Sequence, residues 1–390
     1  MNVKKKIGII TFWESNDNYG QQLQCWALQQ YLLSIGHSPF LIRVRMFTQV
    51  RKKSIVKYAL KQIIYIVKET IARTIISCSG FNWNLTKRLV LSLFGKDLAY
   101  RRFDDFKRKY IRKSRVFNNY EELKNHPPKA DVLIAGSDQI WNADLSEDIW
   151  KMTFLQFGDE KAQRIAYAPS MSMNKLSSEQ EKLFAQYLHS FDALSAREKL
   201  TVEKCKNIGF NCELVLDPTL LITAHDYEKI TCNTHSHPYV FIYSINYETT
   251  NDIPPLHLLK EIANKDECHI VVTTGGGYIK NEELLNDVIY DYATIQGWIG
   301  NIRNAELVVT PSFHGIVFAI LFHRNFIFTP LHGRFSKGNE RVYDLLKSLD
   351  ISGHIWGEEN LYSTINWENV EKRLSIMRDN SKKYLIKSIK

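Results

Sequence analysis

The motif from Ser312 to Gly315, SFHG, places a hydroxyl and an imidazole between a predicted strand and a predicted helix. The strand is the hydrophobic run that ends at Val309, and Ser312 is a favourable N-cap for a helix that continues to Leu321. His314 then lies in the first helical turn, where free backbone N–H groups and the helix dipole favour a phosphate or a carboxylate. An imidazole there can bind such an anion or exchange a proton with it. A structural hydrogen bond to a neighbouring loop is the alternative.

Four further predicted strands end in polar clusters, as the strand before Ser312 does. Because the carboxyl ends of parallel strands lie along one edge of a sheet, we expect these clusters to converge on a single cleft. The cleft would combine a basic residue with several carboxylates and hydroxyls. The four clusters begin at Gly136, Pro169, Arg197 and Asp217.

The chain opens with a strand, a polar loop, a helix and a second strand. The first strand covers 7–12, the loop contains Asp17 and Gly20, and the second strand covers 40–44. This order is typical of an open α/β sheet that binds its ligand at the loop. The loop lacks the pattern G-x-G-x-x-G, so the fingerprint of a dinucleotide-binding site is absent.

The same alternation of strands and helices occurs twice, which predicts two domains. We predict an α/β fold of two Rossmann-like, doubly wound domains that face each other across a cleft, a glycosyltransferase-B-like (GT-B-like) architecture. The first domain covers 1–230 and the second covers 238–360, joined by a polar linker. Residues 361–390 are predicted to form a charged amphipathic helix that returns to the first domain.

A basic segment interrupts the first domain over about residues 46–115. Between Arg43 and Arg115 there are 20 Lys and Arg residues against 4 Asp and Glu residues, within a chain of net charge +9. Apolar residues at helical spacing from Ile55 to Val67 predict an amphipathic helix flanked by lysines. This helix either contacts an anionic membrane or packs on the main body as a helical insertion with a solvated basic side. Nucleic acid is not supported, because no known DNA- or RNA-binding motif is present.

The remaining features of the sequence predict a globular protein that stays in the cytosol. The N-terminal apolar run has about six residues, too few for a signal sequence, and no run approaches the roughly 18 needed to span a bilayer. The six cysteines are scattered without C-x-x-C pairs, which argues against a zinc site and against a disulfide framework. We therefore predict no metal site. Peripheral contact with the inner face of the plasma membrane through residues 51–115 is the membrane alternative for the basic segment.

Five motifs occur in an order that resembles the polysaccharide pyruvyl transferase family. The motifs lie at 18–24, 136–141, 197–199, 217–219 and 312–315. The resemblance implies that the enolpyruvyl group of phosphoenolpyruvate is moved onto two hydroxyls of a sugar in a surface polysaccharide precursor. The product is a pyruvate ketal and phosphate is released. Phosphoenolpyruvate is then the donor substrate, and no cofactor is needed.

The resemblance also assigns roles to individual residues. His314 binds the phosphate or acts as a general acid when the phosphate leaves. Asp138 is the candidate base and Asp17 is the second choice, although a turn or helix cap is an alternative for Asp138. Arg197 grips the phosphate or the carboxylate, and Asp217 before proline is either a turn former or a catalytic acid. Trp141 either stacks on a sugar or belongs to the core. The expected substrate-binding residues are Asn18, Tyr19, Gly20, Gln24, Ser137, Gln139, Trp141, Arg197, Ser312, Gly315 and Arg341.

The sequence departs from the family pattern beside His314. Many relatives have Arg-Leu-His where this chain has Phe313 between Ser312 and His314, so a phosphate-binding cation is missing. Arg334, Lys337 and Arg341 are the candidates to replace it, and a different donor is the other explanation.

The acceptor implied by the resemblance is a lipid-diphosphate-linked oligosaccharide at the cytoplasmic face of the membrane, which the basic segment would help to reach. Two other functions remain open from the sequence. A two-domain cleft also suits a glycosyltransferase that uses a nucleotide sugar. A non-catalytic, glycan-binding component of polysaccharide assembly would retain the cleft without turnover.

Overall fold

Two parallel, five-stranded sheets form the framework of the protein. A computed structural model describes residues 3–47, 101–171, 176–233, 235–247, 249–263, 267–275, 285–358, 361 and 364–390. Each sheet has helices on both faces, and both sheets have the same strand order of 3-2-1-4-5 when their strands are counted along the chain. This order is that of a doubly wound α/β domain, so the predicted fold class is confirmed.

The first sheet has the strand order β3-β2-β1-β4-β5, and every pair is parallel. Most of its strands are short hydrophobic runs buried on both faces, as expected for a sheet covered by helices. A smaller parallel pair, β6 and β7, adjoins β5 through a bridge between Ile165 and Ala193. The strands are β1 (Lys6–Ile10), β2 (Ser38–Val44), β3 (Lys113–Phe117), β4 (Val132–Ala135), β5 (Gln163–Ala166), β6 (Leu194–Ala196) and β7 (Cys212–Leu214).

Four helices of the first domain begin at polar residues that cap them through the side chain. Asn18, Asn119, Ser146 and Ser177 each accept a hydrogen bond from a backbone N–H group of the first helical turn, which satisfies a donor that the helix leaves unpaired. The helices are α1 (Tyr19–Ser34), α2 (Phe103–Tyr110), α3 (Tyr120–Asn125), α4 (Glu147–Thr153), α5 (Ser178–Leu188), α6 (Lys199–Asn207) and α7 (Ala224–Glu228).

The second domain repeats this arrangement with the strand order β10-β9-β8-β11-β12. Its strands are β8 (Tyr239–Ser244), β9 (His269–Thr274), β10 (Ile289–Tyr290), β11 (Leu307–Thr310) and β12 (Phe326–Phe328). Its helices are α8 (Leu256–Ala263), α9 (Ile295–Asn304), α10 (Phe313–Leu321) and α11 (Glu340–Leu349), and the chain ends with α12 (Trp367–Ser388).

The strand order fixes where ligands bind. In each sheet the strand order reverses between two neighbouring strands, and the chain continues from them toward opposite edges of the sheet. These strands are β1 and β4 in the first domain and β8 and β11 in the second. The crevice outside the carboxyl ends of such a strand pair is the ordinary ligand site of this fold. Gly136 to Asp138 follow β4 and Ser312 to His314 follow β11, so both polar clusters lie at these positions.

An apolar core joins the two domains. The Tyr19 ring of α1 stacks on Trp298 of α9, with ring centroids 5.1 Å apart, and its hydroxyl donates to the carbonyl of Ala293 at 2.7 Å. Farther along, Tyr227 packs between Trp26 of α1 and Phe318 of α10. The carboxyl ends of the two sheets are therefore held against each other by buried aromatic side chains.

The terminal helix α12 also links the domains. The hydroxyl of Tyr384 donates to the carbonyl of Ala166 in the first sheet at 2.9 Å, and the hydroxyl of Ser381 accepts from the N–H of Leu216 at 2.9 Å. Earlier in the same helix, Arg373 forms an ion pair with Asp350 of the second domain at 3.0 Å. The helix thus spans both domains beside the crevice.

The predicted basic insertion differs from the structure at its C-terminal end. The sequence predicts a helical insertion that extends to about residue 115, whereas β3 (Lys113–Phe117) is an edge strand paired with β2. An edge strand contacts solvent, so KSRVF lacks the hydrophobic run that reveals a central strand. Residues 48–100, with the predicted amphipathic helix, lie outside the described residues. Within the described part of the chain, no helix is long and apolar enough to cross a membrane.

Candidate active site

The local structure around His314 follows from three neighbouring side chains. The hydroxyl of Ser312 accepts from the N–H of Gly315 at 3.3 Å and caps α10. The Thr310 hydroxyl accepts from the N–H of Ser312 at 3.1 Å and closes the turn after β11. A side chain at Gly315 would place its Cβ only 2.6 Å from Cγ2 of Thr310, so this close approach requires glycine. His314 is therefore held in the first turn of α10, as predicted.

The His314 ring lies against the first domain. A Cβ atom at position 20 would be 2.0 Å from Nδ1 of His314, so the ring packs directly on the backbone of Gly20 in the first turn of α1. On its other side, Nε2 lies 3.7 Å from Oδ2 of Asp217, within ion-pair distance. The ring is buried between elements of both domains, with 8% of the residue exposed.

Asp217 is the centre of a buried polar network. Its Oδ2 accepts from Arg197 Nη1 at 2.7 Å and from the Ser137 hydroxyl at 2.8 Å. Its Oδ1 accepts from the N–H and the hydroxyl of Thr219, at 3.0 and 2.7 Å. Asp217 therefore forms the predicted turn before Pro218, and it also fixes Arg197 beside His314.

The charges around Asp217 determine its protonation. Burial alone would raise the pKa of this carboxyl, but its interactions with His314, Arg197 and Thr219 outweigh burial and hold the pKa well below its ordinary range. Asp217 is therefore ionised at neutral pH. Arg197 is in turn stabilised as a cation, because the neighbouring carboxylates of Asp217 and Asp138 raise its pKa in spite of burial.

Asp217→Asn should destabilise the protein at pH 7 by about 3–5 kcal/mol, because it leaves the Arg197 charge buried without its counterion. The folded-state pKa of Asp217 is lowered, so its contribution is present above the unfolded value of about 4 and is lost as the pH falls below it. We therefore expect the free energy of unfolding, measured with urea, to fall less between pH 7 and about pH 3 in Asp217→Asn than in the wild type. The exposed Asp379→Asn should match the wild type at both pH values, and a full acid-induced loss in Asp217→Asn would contradict the assignment.

Buried donors without a partner converge on this network. Within the described residues, seven buried side-chain nitrogens make no hydrogen bond, and four of them belong to three neighbouring basic residues: His314 Nε2, Arg197 Nε, Arg197 Nη2 and Arg341 Nε. A buried donor that lacks a partner costs about 1–3 kcal/mol, and more when it carries a charge. Donors of this kind on three neighbouring basic residues indicate a site for an anion.

Arg341 supplies a second guanidinium to the site. Burial lowers the pKa of Arg341, and the positive charge of Arg197 lowers it further. The Phe313 ring lies 5.3 Å from the guanidinium carbon of Arg197 and 5.6 Å from that of Arg341. Phe313 therefore contacts both cations through its ring. The structure places Arg341, one of the candidates to replace the missing arginine, beside Arg197.

Asp138 and Glu198 add carboxylates to the same region. Oδ1 of Asp138 lies 3.8 Å from Arg197 Nη2 and accepts from the N–H of Gln139 at 2.9 Å. Asp138 has a left-handed backbone with a φ of 85°, at the end of β4. Glu198, for which the sequence suggested no role, is buried and accepts a hydrogen bond from the Ser170 hydroxyl. Its place in the motif Arg197–Lys199 was the signal that could have identified it.

Two of the predicted substrate-binding residues belong to the core instead. Tyr19 is fully buried in the aromatic contact between the domains, and Trp141 is fully buried and stacks on Phe154 at 4.7 Å. The burial of Trp141 agrees with the alternative that it belongs to the core, and the Tyr19 ring likewise has no exposed face. An aromatic residue next to polar motif residues can lie either in the core or in a cleft. The sequence does not distinguish the two, because the position depends on tertiary packing.

The other predicted residues surround the network without forming the anion site. Gln24 is buried and donates to the hydroxyl of Thr11 at 3.0 Å, and that hydroxyl donates to the carbonyl of Ser137 at 2.7 Å. Asn18 is exposed and caps α1. Asp17 accepts from the Ser15 hydroxyl at 2.5 Å in the loop before α1, and Gln139 is half-buried after Asp138.

A cavity of about 150 Å³ adjoins the two arginines. Arg197, Arg341 and Phe313 line one part of it, and Met377 and Asn380 of α12 line another. The described residues contain no group of three or more His, Cys, Asp or Glu side chains positioned to hold a metal ion. The cavity is lined by three basic residues, Arg197, Lys199 and Arg341, and by two carboxylates, Asp217 and Asp344. Its charge is therefore positive on balance, with space beside the arginines for a small anion.

Comparisons with known proteins agree with this fold. The chain is similar to a solved UDP-N-acetylglucosamine 2-epimerase from Rickettsia bellii, with 11% identity, a TM-score of 0.50, and coverage of 100% of this chain and 97% of that chain. It is also similar to an α-glucosyltransferase solved with UDP and DNA, with 10% identity, a TM-score of 0.48 and 99% of each chain covered. At 11% identity the likeness to the epimerase concerns the fold alone, which is GT-B-like. A search among curated proteins gives no match.

The family model named polysaccharide pyruvyl transferase matches residues 18–332. This range extends from the cap of α1, through Arg197 and Asp217, to beyond His314. Because the match covers well over half of the 390 residues, the chain belongs to the polysaccharide pyruvyl transferase family.

Proposed function

We propose that this protein transfers the enolpyruvyl group of phosphoenolpyruvate to two hydroxyls of a sugar in a surface polysaccharide precursor. The product is a pyruvate ketal, and inorganic phosphate is released. The observation that supports this proposal is the set of unpartnered donors on Arg197, His314 and Arg341. Phosphoenolpyruvate carries a phosphate and a carboxylate on three carbons, so it can satisfy donors on two guanidinium groups and an imidazole together.

The proposed reaction has two additions at the same carbon. A proton is added to the methylene carbon of the enol, and the first sugar hydroxyl attacks the cationic carbon that results. The C–O bond to phosphate then breaks, and the second hydroxyl attacks the same carbon to close the ketal. One of the two hydroxyl protons balances the proton gained by the methyl group, and the other leaves with the phosphate.

Each charged residue has a step to which its position is suited. Arg197 and Arg341 bind the anionic groups and stabilise the charge that develops on the phosphate as it leaves. His314 is the proposed general acid that protonates the departing phosphate, since its Nε2 is buried beside Arg197 and Asp217. Asp138 is the proposed base for a sugar hydroxyl, because its carboxylate lies at the other side of Arg197.

The proposed acceptor is a lipid-diphosphate-linked oligosaccharide. Surface polysaccharide precursors need a carrier, and a lipid diphosphate would present the sugar to a protein that contacts an anionic membrane. The membrane contact through residues 51–115 stays a prediction, since residues 48–100 lie outside the described residues.

The decisive experiment measures phosphate release from phosphoenolpyruvate with a panel of synthetic galactosides and mannosaminides, together with thermal protection of the free protein. We expect phosphoenolpyruvate to raise the melting temperature, and one acceptor to produce phosphate in equal amount to the ketal. Protection by UDP or a nucleotide sugar without protection by phosphoenolpyruvate would instead support a glycosyltransferase. Binding of the glycans without turnover would support a non-catalytic component.

Arg341→Gln should weaken the binding of phosphoenolpyruvate by roughly 10- to 150-fold, because it removes a charge-assisted contact with about 1.5–3 kcal/mol of binding free energy. The change in affinity is measured from the rise in melting temperature that phosphoenolpyruvate produces in each variant. Arg303→Gln is the matched control, since Arg303 is in the same domain but pairs with Glu228 away from the site. Equal protection of both variants would remove Arg341 from the donor site.

A further inference from the structure

A second cationic cavity lies in the first domain, beside α2 and the edge of the first sheet. Its volume is about 280 Å³. Four basic side chains and one indole line it, and Asp104 is its only acidic residue among the described ones. The residues are Trp13, Arg43, Lys107, Arg108 and Lys113. These residues neither contact His314 nor line the cavity beside Arg341, so the cavity is separate from the donor site.

The positive charge of this cavity is only partly neutralised. Lys107 pairs with Asp104 at 2.8 Å, and Arg108 pairs with Asp105. In contrast, Arg43 Nε donates to the backbone carbonyl of Ser114 at 2.9 Å, and Lys113 donates to the backbone carbonyl of Lys107. Neutral carbonyls orient these two cations without cancelling their charge. Among the described residues, neither has a carboxylate within ion-pair distance.

The repulsion among these cations affects the pKa of Lys113. Burial lowers the pKa of Lys113, and the neighbouring charges of Arg43, Lys107 and Arg108 lower it further, against a smaller opposing effect of Asp104. A multiply charged anion placed among them would relieve this repulsion and gain several charge-assisted hydrogen bonds.

The cavity is built rigidly and adjoins the loop that leads to the active site. The Trp13 indole N–H donates to the carbonyl of Val44 at 2.9 Å, and the ring lies 5.6 Å from the guanidinium carbon of Arg43. Nζ of Lys107 donates to Oδ1 of Asn16 at 2.7 Å. Asn16 belongs to the loop between β1 and α1, which continues to Gly20 and its contact with His314.

We propose that this cavity binds a phosphoryl or diphosphoryl group, and that its physiological source is the diphosphate of the lipid-linked acceptor. The cations line a concave space, into which a head group can insert but which a flat membrane surface cannot fill. Anion binding itself does not depend on the proposed function, and only the assignment to the acceptor rests on it. Donor and acceptor anions would then occupy two separate cationic sites on either side of the loop 13–18.

The first test is calorimetric titration with inorganic diphosphate in the Arg341→Gln background, where binding at the donor site is weakened. We expect one remaining site, and we expect Lys113→Gln to lower its affinity about tenfold or more. Lys113→Arg keeps the positive charge and should retain binding. Loss of binding in Lys113→Gln alone would then be due to the lost charge and not to misfolding. Lys124→Gln removes an exposed lysine on α3 and should have no effect. Equal affinity in the Lys113→Gln and Lys124→Gln variants would overturn the proposal.

The second test distinguishes the sources of the anion. Wild-type protein is mixed with two kinds of vesicle in separate experiments. One kind contains a polyprenyl diphosphate, and the other contains phosphatidylglycerol in the amount that gives the same total charge. Tighter binding to the diphosphate vesicles, reduced by free inorganic diphosphate and by Lys113→Gln, is the expected result. Equal binding to both vesicles would overturn the assignment to a diphosphate. Because neither test uses phosphoenolpyruvate or turnover, failure of the donor assignment would be seen separately.

Discussion

His314→Gln is expected to lower the rate of phosphate release by about 10²- to 10⁴-fold, the usual contribution of a positioned general acid. Glutamine retains a side-chain donor of similar reach, so the binding of phosphoenolpyruvate should change much less than the rate. Parallel measurements of single-turnover phosphate release and of thermal protection by the donor test this difference. A loss of protection that equals the loss of rate would make His314 a binding residue only.

The matched control for this variant is His323→Gln. His323 follows the same helix, α10, but it is partly exposed and lies 3.0 Å from Glu371 on the surface. Its replacement should leave the rate within about twofold, since surface substitutions away from a site have small effects. A similar loss of rate in both histidine variants would indicate damage to α10 and not the loss of an acid.

The arrangement explains how a protein can retain an excess of buried positive charge. Asp217 is held by the turn at Pro218 and accepts from Arg197, and it lies within ion-pair distance of His314. It neutralises part of the charge and leaves Nε and Nη2 of Arg197 without hydrogen-bond partners. Donors that are already fixed in direction need no reorganisation when charge develops on a departing phosphate. Asp217 is therefore a positioning residue, although its sequence context indicated a turn former or a catalytic acid.

The sequence predicts those parts of the fold that depend on neighbouring residues. The strand before Pro311, the cap at Ser312 and the helix that begins at Phe313 are all local signals, and the structure contains them. The alternation of such units predicts the doubly wound domains. The convergence of Ser137, Arg197 and Asp217 also follows from the rule that parallel strands end at one edge of a sheet.

The remaining features depend on contacts between distant segments. The sequence names Arg341 only as one of three candidate cations, because no pattern in its amphipathic helix distinguishes an inward arginine from a solvated one. Burial of Tyr19 and Trp141 depends on aromatic partners from other elements. Arg101 is another example, since this member of the basic segment is fully buried and donates to Thr274 of the second domain.

Gly20→Ala is expected to reduce phosphate release by up to about 10²-fold, the effect of moving a catalytic group by roughly 1 Å. The new Cβ would lie 2.0 Å from Nδ1 and 2.3 Å from Cγ of His314, whereas unbonded carbon atoms are comfortable at about 3.5–4.0 Å. Either the ring or the start of α1 must therefore shift. Overpacking of this kind also destabilises a protein by about 1–3 kcal/mol, which urea unfolding can measure.

A double-mutant cycle with His314→Ala shows whether the effect of Gly20→Ala acts through the imidazole. Removing the ring removes the clash, so Gly20→Ala should lose its destabilising effect in that background, and the higher helix propensity of alanine in α1 can even stabilise the variant by up to about 1 kcal/mol. The coupling free energy should then be about 1–3 kcal/mol, within the range for residues in contact. Additive losses would mean that Gly20 matters for α1 alone. A strong coupling would instead establish that the first domain positions the proposed acid of the second through the backbone of Gly20.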